Sequence, residues 1–102
     1  MNDIVLKLND NGRGAFVVEE GNERLAEMEI GISGSNLTVY HTEVSEKLKG
    51  KGVASQLLGT MVKYARGHQL KVIALCPYVL AQFKRHPEEY ADIWNQHWHS
   101  AK

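Results

Sequence analysis

Hydrophobic and polar positions follow two periods along the chain. "DIVLKL" (3–8) and "AFVVEE" (15–20) are short apolar-rich runs, closed by the turn-forming "NDNGRG" and by "GN" at 21–22, and predict two strands joined as hairpins. In "ERLAEMEIGIS" Met28, Ile30 and Ile32 alternate with Glu27, Glu29 and Gly31, the period of a third strand with one wet face. After the turn "GSN", "LTVYHTEV" (37–44) predicts a fourth strand with Leu37, Val39 and His41 on one side. The period then changes. Val53, Ala54, Leu57, Leu58, Met61, Val62 and Ala65 fall on one helical stripe, with Ser55, Gln56, Thr60, Lys63 and Arg66 opposite and Gly67 as the expected left-handed stop.

"LKVIALC" (70–76) is nearly continuously apolar and predicts a fifth strand covered on both faces. Pro77 then opens a short helix, "PYVLAQFKRH", which "HP" closes, and helical propensity continues to about Trp94. Strand, loop, helix, strand is a crossover unit appended to an antiparallel meander. The expected fold is α+β: a mixed, mainly antiparallel sheet of about five strands, with a central helix and short C-terminal helices.

At 102 residues, 43% hydrophobic and 24% charged, the chain is expected to form a single domain over residues 1–102 with a real core. Twelve basic and twelve acidic residues leave no net field toward nucleic acid, and no apolar run is long enough for a membrane span. "MNDIVLKLND" lacks the basic leader and apolar core of a secretory signal, and a single cysteine, Cys76, fits a reducing cytoplasm. Acidic residues gather between Glu19 and Glu29, and lysines at Lys47, Lys49 and Lys51. An acidic face of that kind suits a cationic amine, and equally serves solubility.

Lys49 and Lys51 belong to "LKGKGVASQLL" (48–58), which Lys47 immediately precedes and where Gly50 and Gly52 run directly into the helix. The first N–H groups of a helix lack internal partners and carry partial positive charge, so bare glycine backbone there can cradle a phosphate. The spacing fits neither a Walker loop nor a dinucleotide fingerprint. By composition alone, a solvated turn before a core helix accounts for the loop as well as a ligand does.

Placed between a strand ending in "HTEV" and a sheet-packing helix, the loop resembles the acyl-CoA-binding segment of the GCN5-related N-acetyltransferases, Arg/Gln-x-x-Gly-x-Gly/Ala. More narrowly, "HTEV", "LKGKGVASQLL", "LCPYV" and "RHPEEY", in this order between about residues 15 and 93, resemble minimal single-domain acetyltransferase-like proteins related to N-acetyltransferase domain-containing protein 1. The resemblance implies acetyl-CoA as cofactor and an amine as acceptor. Val44 and Ser45 would line the pantetheine arm between two splayed strands. Lys49, Gly50, Lys51, Gly52, Val53 and Ala54 would surround the pyrophosphate, and Tyr78 would pack on the cofactor. Lys47 stands where the larger superfamily has Arg or Gln, a point charge without the planar fork.

Thioester-to-amine transfer needs a nucleophile, a route for the proton and donors for the developing oxyanion. The tyrosine that many superfamily members place in the final helix is matched here by Phe83, which has no proton to give. Cys76, at the junction of strand and helix, is the expected nucleophile or pocket wall, and otherwise a small buried hydrophobe. His41 is the expected base, since histidine titrates near neutrality, and otherwise a core-edge residue; Glu43 would orient it. Arg85 and His86 would cap the short helix or reach a CoA phosphate. "HWH" at 97–99 has no third ligand nearby, so no metal is expected. Two functions stand: an N-acetyltransferase, monomeric or weakly dimeric, and a CoA-binding or adaptor domain without catalysis, the latter suggested by the short stretch before the second strand.

Overall fold

The structure, a computed structural model, describes residues 3–96. The readings placed on His97, Trp98 and His99 lie outside the described residues. Five strands, β1 (Ile4–Leu8), β2 (Arg13–Glu20), β3 (Glu23–Ser33), β4 (Asn36–Val44) and β5 (Lys71–Ala74), form one sheet in the order β1-β2-β3-β4-β5. Between β4 and β5 runs α1 (Val53–Gly67); after β5 come α2 (Pro77–Arg85) and α3 (Pro87–Tyr90). The first four strands pair antiparallel through tight turns in which Gly12, Gly21 and Gly34 take positive φ. β5 joins β4 in parallel, as a strand returning from a helical crossover must. The mixed, mainly antiparallel α+β fold expected from the periodicity is the fold observed. No helix among the described residues is long and apolar enough to cross a membrane.

Helices cover one face of the sheet. Phe16, Val18, Met28, Ile30, Leu37 and Val39 meet Val53, Leu57, Leu58, Met61, Val62 and Ala65 of α1, all buried in one cluster. Each of these side chains larger than alanine contributes about 1.5–3 kcal/mol gross on burial, so this stripe is what attaches α1 to the sheet. Phe83 of α2 is 0% exposed, with its ring centroid 4.7 Å from Tyr90 and 5.6 Å from Trp94. It is a core residue.

The uncovered face is the expected wet one, with Lys7–Glu19 (2.7 Å), Arg13–Glu29 (3.2 Å) and Arg24–Glu19 (3.4 Å) ion pairs across its strands. Ala15 and Val17 are nevertheless buried among these side chains, because long charged residues cover short apolar neighbours with their stems.

Three expectations change in the structure. Gly67 is an ordinary helical residue, and the left-handed residue past α1 is Gln69, at φ 56°. β5 is not covered on both faces: Val72, Ala74 and Cys76 are buried, but Lys71 is exposed, Ile73 only half-buried, and Leu75 40% exposed. The cause is topological: Val72, Ala74 and Cys76 join the core under the helices, and Lys71, Ile73 and Leu75 alternate onto the face that no helix among the described residues covers.

The third change bears on function. In β3–β4 the register steps from Glu29↔His41 to Ile30↔Val39, so Tyr40 is an extra residue, a β-bulge. A bulge reverses the alternation beyond it. Leu37 and Val39 face the core, but the next inward residue is Thr42, in the row Leu6–Phe16–Met28–Thr42. His41 falls in the outer row Lys7–Ala15–Glu29–His41, with its side chain 56% exposed. It does not share a side with Leu37 and Val39.

Candidate functional site

The end of β4 is pinned by two bonds. The Ser45 N–H donates to the Leu25 carbonyl at 2.7 Å, and the Ser45 hydroxyl accepts from the Lys47 N–H at 3.2 Å. Ser45 thus caps a single 3-10 turn, Glu46–Leu48, and Leu48 anchors it by burial. The Leu48, Lys49 and Lys51 amides are consumed by this turn and the next, donating to the carbonyls of Ser45, Glu46 and Leu48 at 3.0, 3.1 and 3.2 Å. Gly50 and Gly52 follow at φ 80° and 70°, which glycine adopts without strain.

With Gly52 as its N-cap, α1 has no capping side chain and no acidic residue in its first turn. Among the described residues, no protein acceptor takes the N–H groups of Gly50, Gly52, Val53, Ala54 or Ser55. A Cβ built on either glycine would meet no atom within 4 Å. Five open amides at the positive end of a 15-residue helix therefore border free space.

That space is a cavity of about 450 Å³. It gathers Val44, Ser45, Lys49, Gly50, Gly52, Val53, Ala54 and Tyr78, eight of the residues expected to hold the cofactor, together with Glu46, Leu48 and Ser55. Lys51 is not in its lining. Lys47 is turned away, its ammonium 2.8 and 3.1 Å from the two Glu23 carboxylate oxygens, a contact that raises its pKa. Sequence reasoning placed all three lysines around the loop and had no means to see that the β2–β3 hairpin would bring Glu23 to one of them.

β4 and β5 part above this cavity. Their last pair is Val39↔Ala74, after which the Val39 carbonyl accepts from both Leu75 and Cys76 N–H at 3.0 and 2.9 Å. Beyond it β4 runs on to Val44 while the other chain turns into α2, with Cys76 as N-cap and Pro77 at the first helical position. Cys76 is 2% exposed, its sulfur 3.3 Å from the Thr42 hydroxyl. Two residues on, Tyr78 is half-buried; burial, with Cys76 as a lesser cause, raises its phenol above the ordinary tyrosine value. Thr42 escaped sequence reasoning because the bulge that points it inward leaves no mark in the hydrophobic period.

His41 and Cys76 are not brought together. His41 stands on the outer face with Nε2 4.0 Å from Glu43, whereas Cys76 bonds to Thr42 on the helix-covered face. The outer face has its own hollow, about 430 Å³, which shares Val44, Ser45 and Glu46 with the helix-side cavity and is lined further by Arg24, Glu27 and Glu43. His86 closes α2 through its backbone, its N–H donating to the Gln82 carbonyl at 3.0 Å.

Residues 15–93 match the model of a GCN5-related N-acetyltransferase family. The chain belongs to the GCN5-related N-acetyltransferases. It is similar along its length to a GCN5-like candidate N-acetyltransferase from Staphylococcus aureus solved in solution by NMR. The two share 28% identity with a TM-score of 0.64, over 97% of this chain and 99% of that one. No curated protein sequence matches it. As a family member, the chain carries the acetyltransferase fold with the loop, the strand fork and the cavity in one place.

Proposed function

We propose that this chain is an acetyl-CoA-dependent N-acetyltransferase. The observation that carries the proposal is the cavity bordered by the unpartnered amides of Gly50, Gly52, Val53, Ala54 and Ser55. Those amides bind a pyrophosphate at the helix N-terminus, where bare glycine backbone lets the anion approach closely. Lys49 and Lys51 add charge from the rim. Val44, Ser45 and Tyr78 hold the pantetheine arm and direct it toward the fork between β4 and α2. The cofactor supplies an acetyl group already activated as a thioester.

Cys76, lying in that fork, takes the acetyl group from the thioester and passes it to an amine. The acceptor arrives from the outer face, through the hollow that shares Val44, Ser45 and Glu46 with the donor cavity. His41, on the same face and oriented by Glu43, which lines that hollow, receives the ammonium proton; its position on the outer face favours this over any contact with Cys76. Titration calorimetry with acetyl-CoA at moderate salt tests the first step, and saturating heat of binding at a one-to-one ratio is expected. No heat at millimolar cofactor would defeat the proposal.

One observation favours a second reading, a CoA-binding or adaptor domain. Neither Cys76 nor His41 lines the cavity, and Cys76 is 2% exposed. Intact-mass measurement after incubation with acetyl-CoA separates the two. An acetyl adduct that disappears in Cys76→Ala requires chemistry, whereas binding without adduct and without amine acetylation leaves the adaptor.

A further inference from the structure

Thr42 lies where a side-chain contact closes the strand fork, Oγ1 to the Cys76 sulfur at 3.3 Å. The position is set by backbone geometry. The Tyr40 bulge places Thr42, and not His41, on the helix-covered face. Val44 and Tyr78, each two residues along the chain from this pair, line the donor cavity, and the last β4–β5 bonds, to the Val39 carbonyl, lie on the other side of it. The pair therefore stands between the cavity and the closed end of the fork, where an acyl thioester held by the loop would deliver its carbonyl. A valine would fill the same half-buried volume, so packing alone gives no reason for a hydroxyl here.

Resting on the acyl-enzyme reading above, we propose that Thr42 is the positioning residue for Cys76. Its hydroxyl is the hydrogen-bond partner of the thiol and fixes the sulfur's direction in the fork. In the step it serves, the Cys76 sulfur bonds to the acetyl carbon while the bond from that carbon to the CoA sulfur breaks. The thiol proton ends on the departing CoA sulfur, so S-acetyl-Cys76 and free CoA are the products and no further reactant is consumed.

The test is the rate of adduct formation by intact mass in the full chain, for wild type, Thr42→Val and Thr42→Ser, with acetyl-CoA affinity by calorimetry and melting temperature alongside. Thr42→Val is expected to slow acetylation of Cys76 by about threefold to tenfold, the worth of one neutral hydrogen bond, with affinity unchanged. Thr42→Ser is expected to restore the rate, because it keeps the hydroxyl and removes only the methyl group. A wild-type rate in Thr42→Val overturns the proposal, as does a Thr42→Ser variant as slow as Thr42→Val, which would assign the effect to packing. A parallel loss of affinity in Thr42→Val would likewise overturn it by making Thr42 a binding residue. Wild-type protein that forms no adduct overturns the acyl-enzyme reading itself, an outcome distinct from the others because it precedes any substitution.

Discussion

Gly52→Ala separates the loop's two duties, folding and anion binding. Gly52 sits at φ 70° with nothing within 4 Å of a built Cβ, so alanine meets no clash and suffers only left-handed backbone strain. That strain costs about 1–2 kcal/mol, and at this chain length each kcal/mol lowers the melting temperature by roughly 4–8 °C. The methyl group projects into space that the anion would use, beside the open amides of Gly52, Val53 and Ala54. Losing one charge-assisted amide bond costs about 1.5–3 kcal/mol of binding, or roughly ten- to 150-fold in Kd. Gly34→Ala is the internal control. Gly34 has φ 59°, again with nothing within 4 Å of its Cβ, but sits in the β3–β4 turn outside the cavity lining. Both variants should therefore melt lower by similar amounts in a thermal scan, while only Gly52→Ala weakens acetyl-CoA binding in calorimetry. Equal affinity in the two variants would refute the reasoning, because it would mean that the open amides do not hold the phosphate.

Other expectations are independent of that one. Phe83→Ala, at a fully buried position against Tyr90 and Trp94, should destabilise the fold by about 3–5 kcal/mol in urea titration; a loss under 1 kcal/mol would show that α2 is not fastened by this ring. Lys49→Gln combined with Lys51→Gln should weaken acetyl-CoA binding severalfold at low salt and much less near molar salt, where exposed charges are screened; a salt-independent loss would point to altered loop geometry instead. The Arg66 guanidinium, bonded at 2.9 and 3.2 Å, holds the Asp92 carboxyl below its ordinary value of 3.8. A depressed folded-state pKa contributes stability above the unfolded value and loses it as pH falls through the folded one. Acid melts should therefore lose part of their stability below about pH 4, and Asp92→Asn should remove that part. An unchanged acid profile in Asp92→Asn would mean the exposed pair contributes nothing.

How far the sequence reached depended on the range of the forces involved. Side-chain period and turn chemistry are local, so the sheet's four hairpin-linked strands, the α1 stripe and the Pro77 start of α2 were all legible from neighbouring residues. Gly50 and Gly52 were legible too as the start of the helix, but which amides of the loop stay unpartnered was decided by the turn around Glu46–Leu48, whose carbonyls take those of Lys49 and Lys51. Apart from the helix stop, which fell on Gln69 and not Gly67, what failed depended on residues distant in sequence. The Tyr40 bulge is a shift in the pairing of β4 with β3, and it moved His41 outward and Thr42 inward against the apparent alternation. Lys47 was lost to the loop because Glu23 arrives from another hairpin.

The amino-acid sequence by itself determined the element order, the core-facing helix stripe and the glycine pair at the head of that helix. Tertiary structure alone decided which side chains stand around that loop. Strand register, edge position and the parting of β4 from β5 are properties of paired chains, and they selected Thr42 as the partner of Cys76 and placed His41 on the other face.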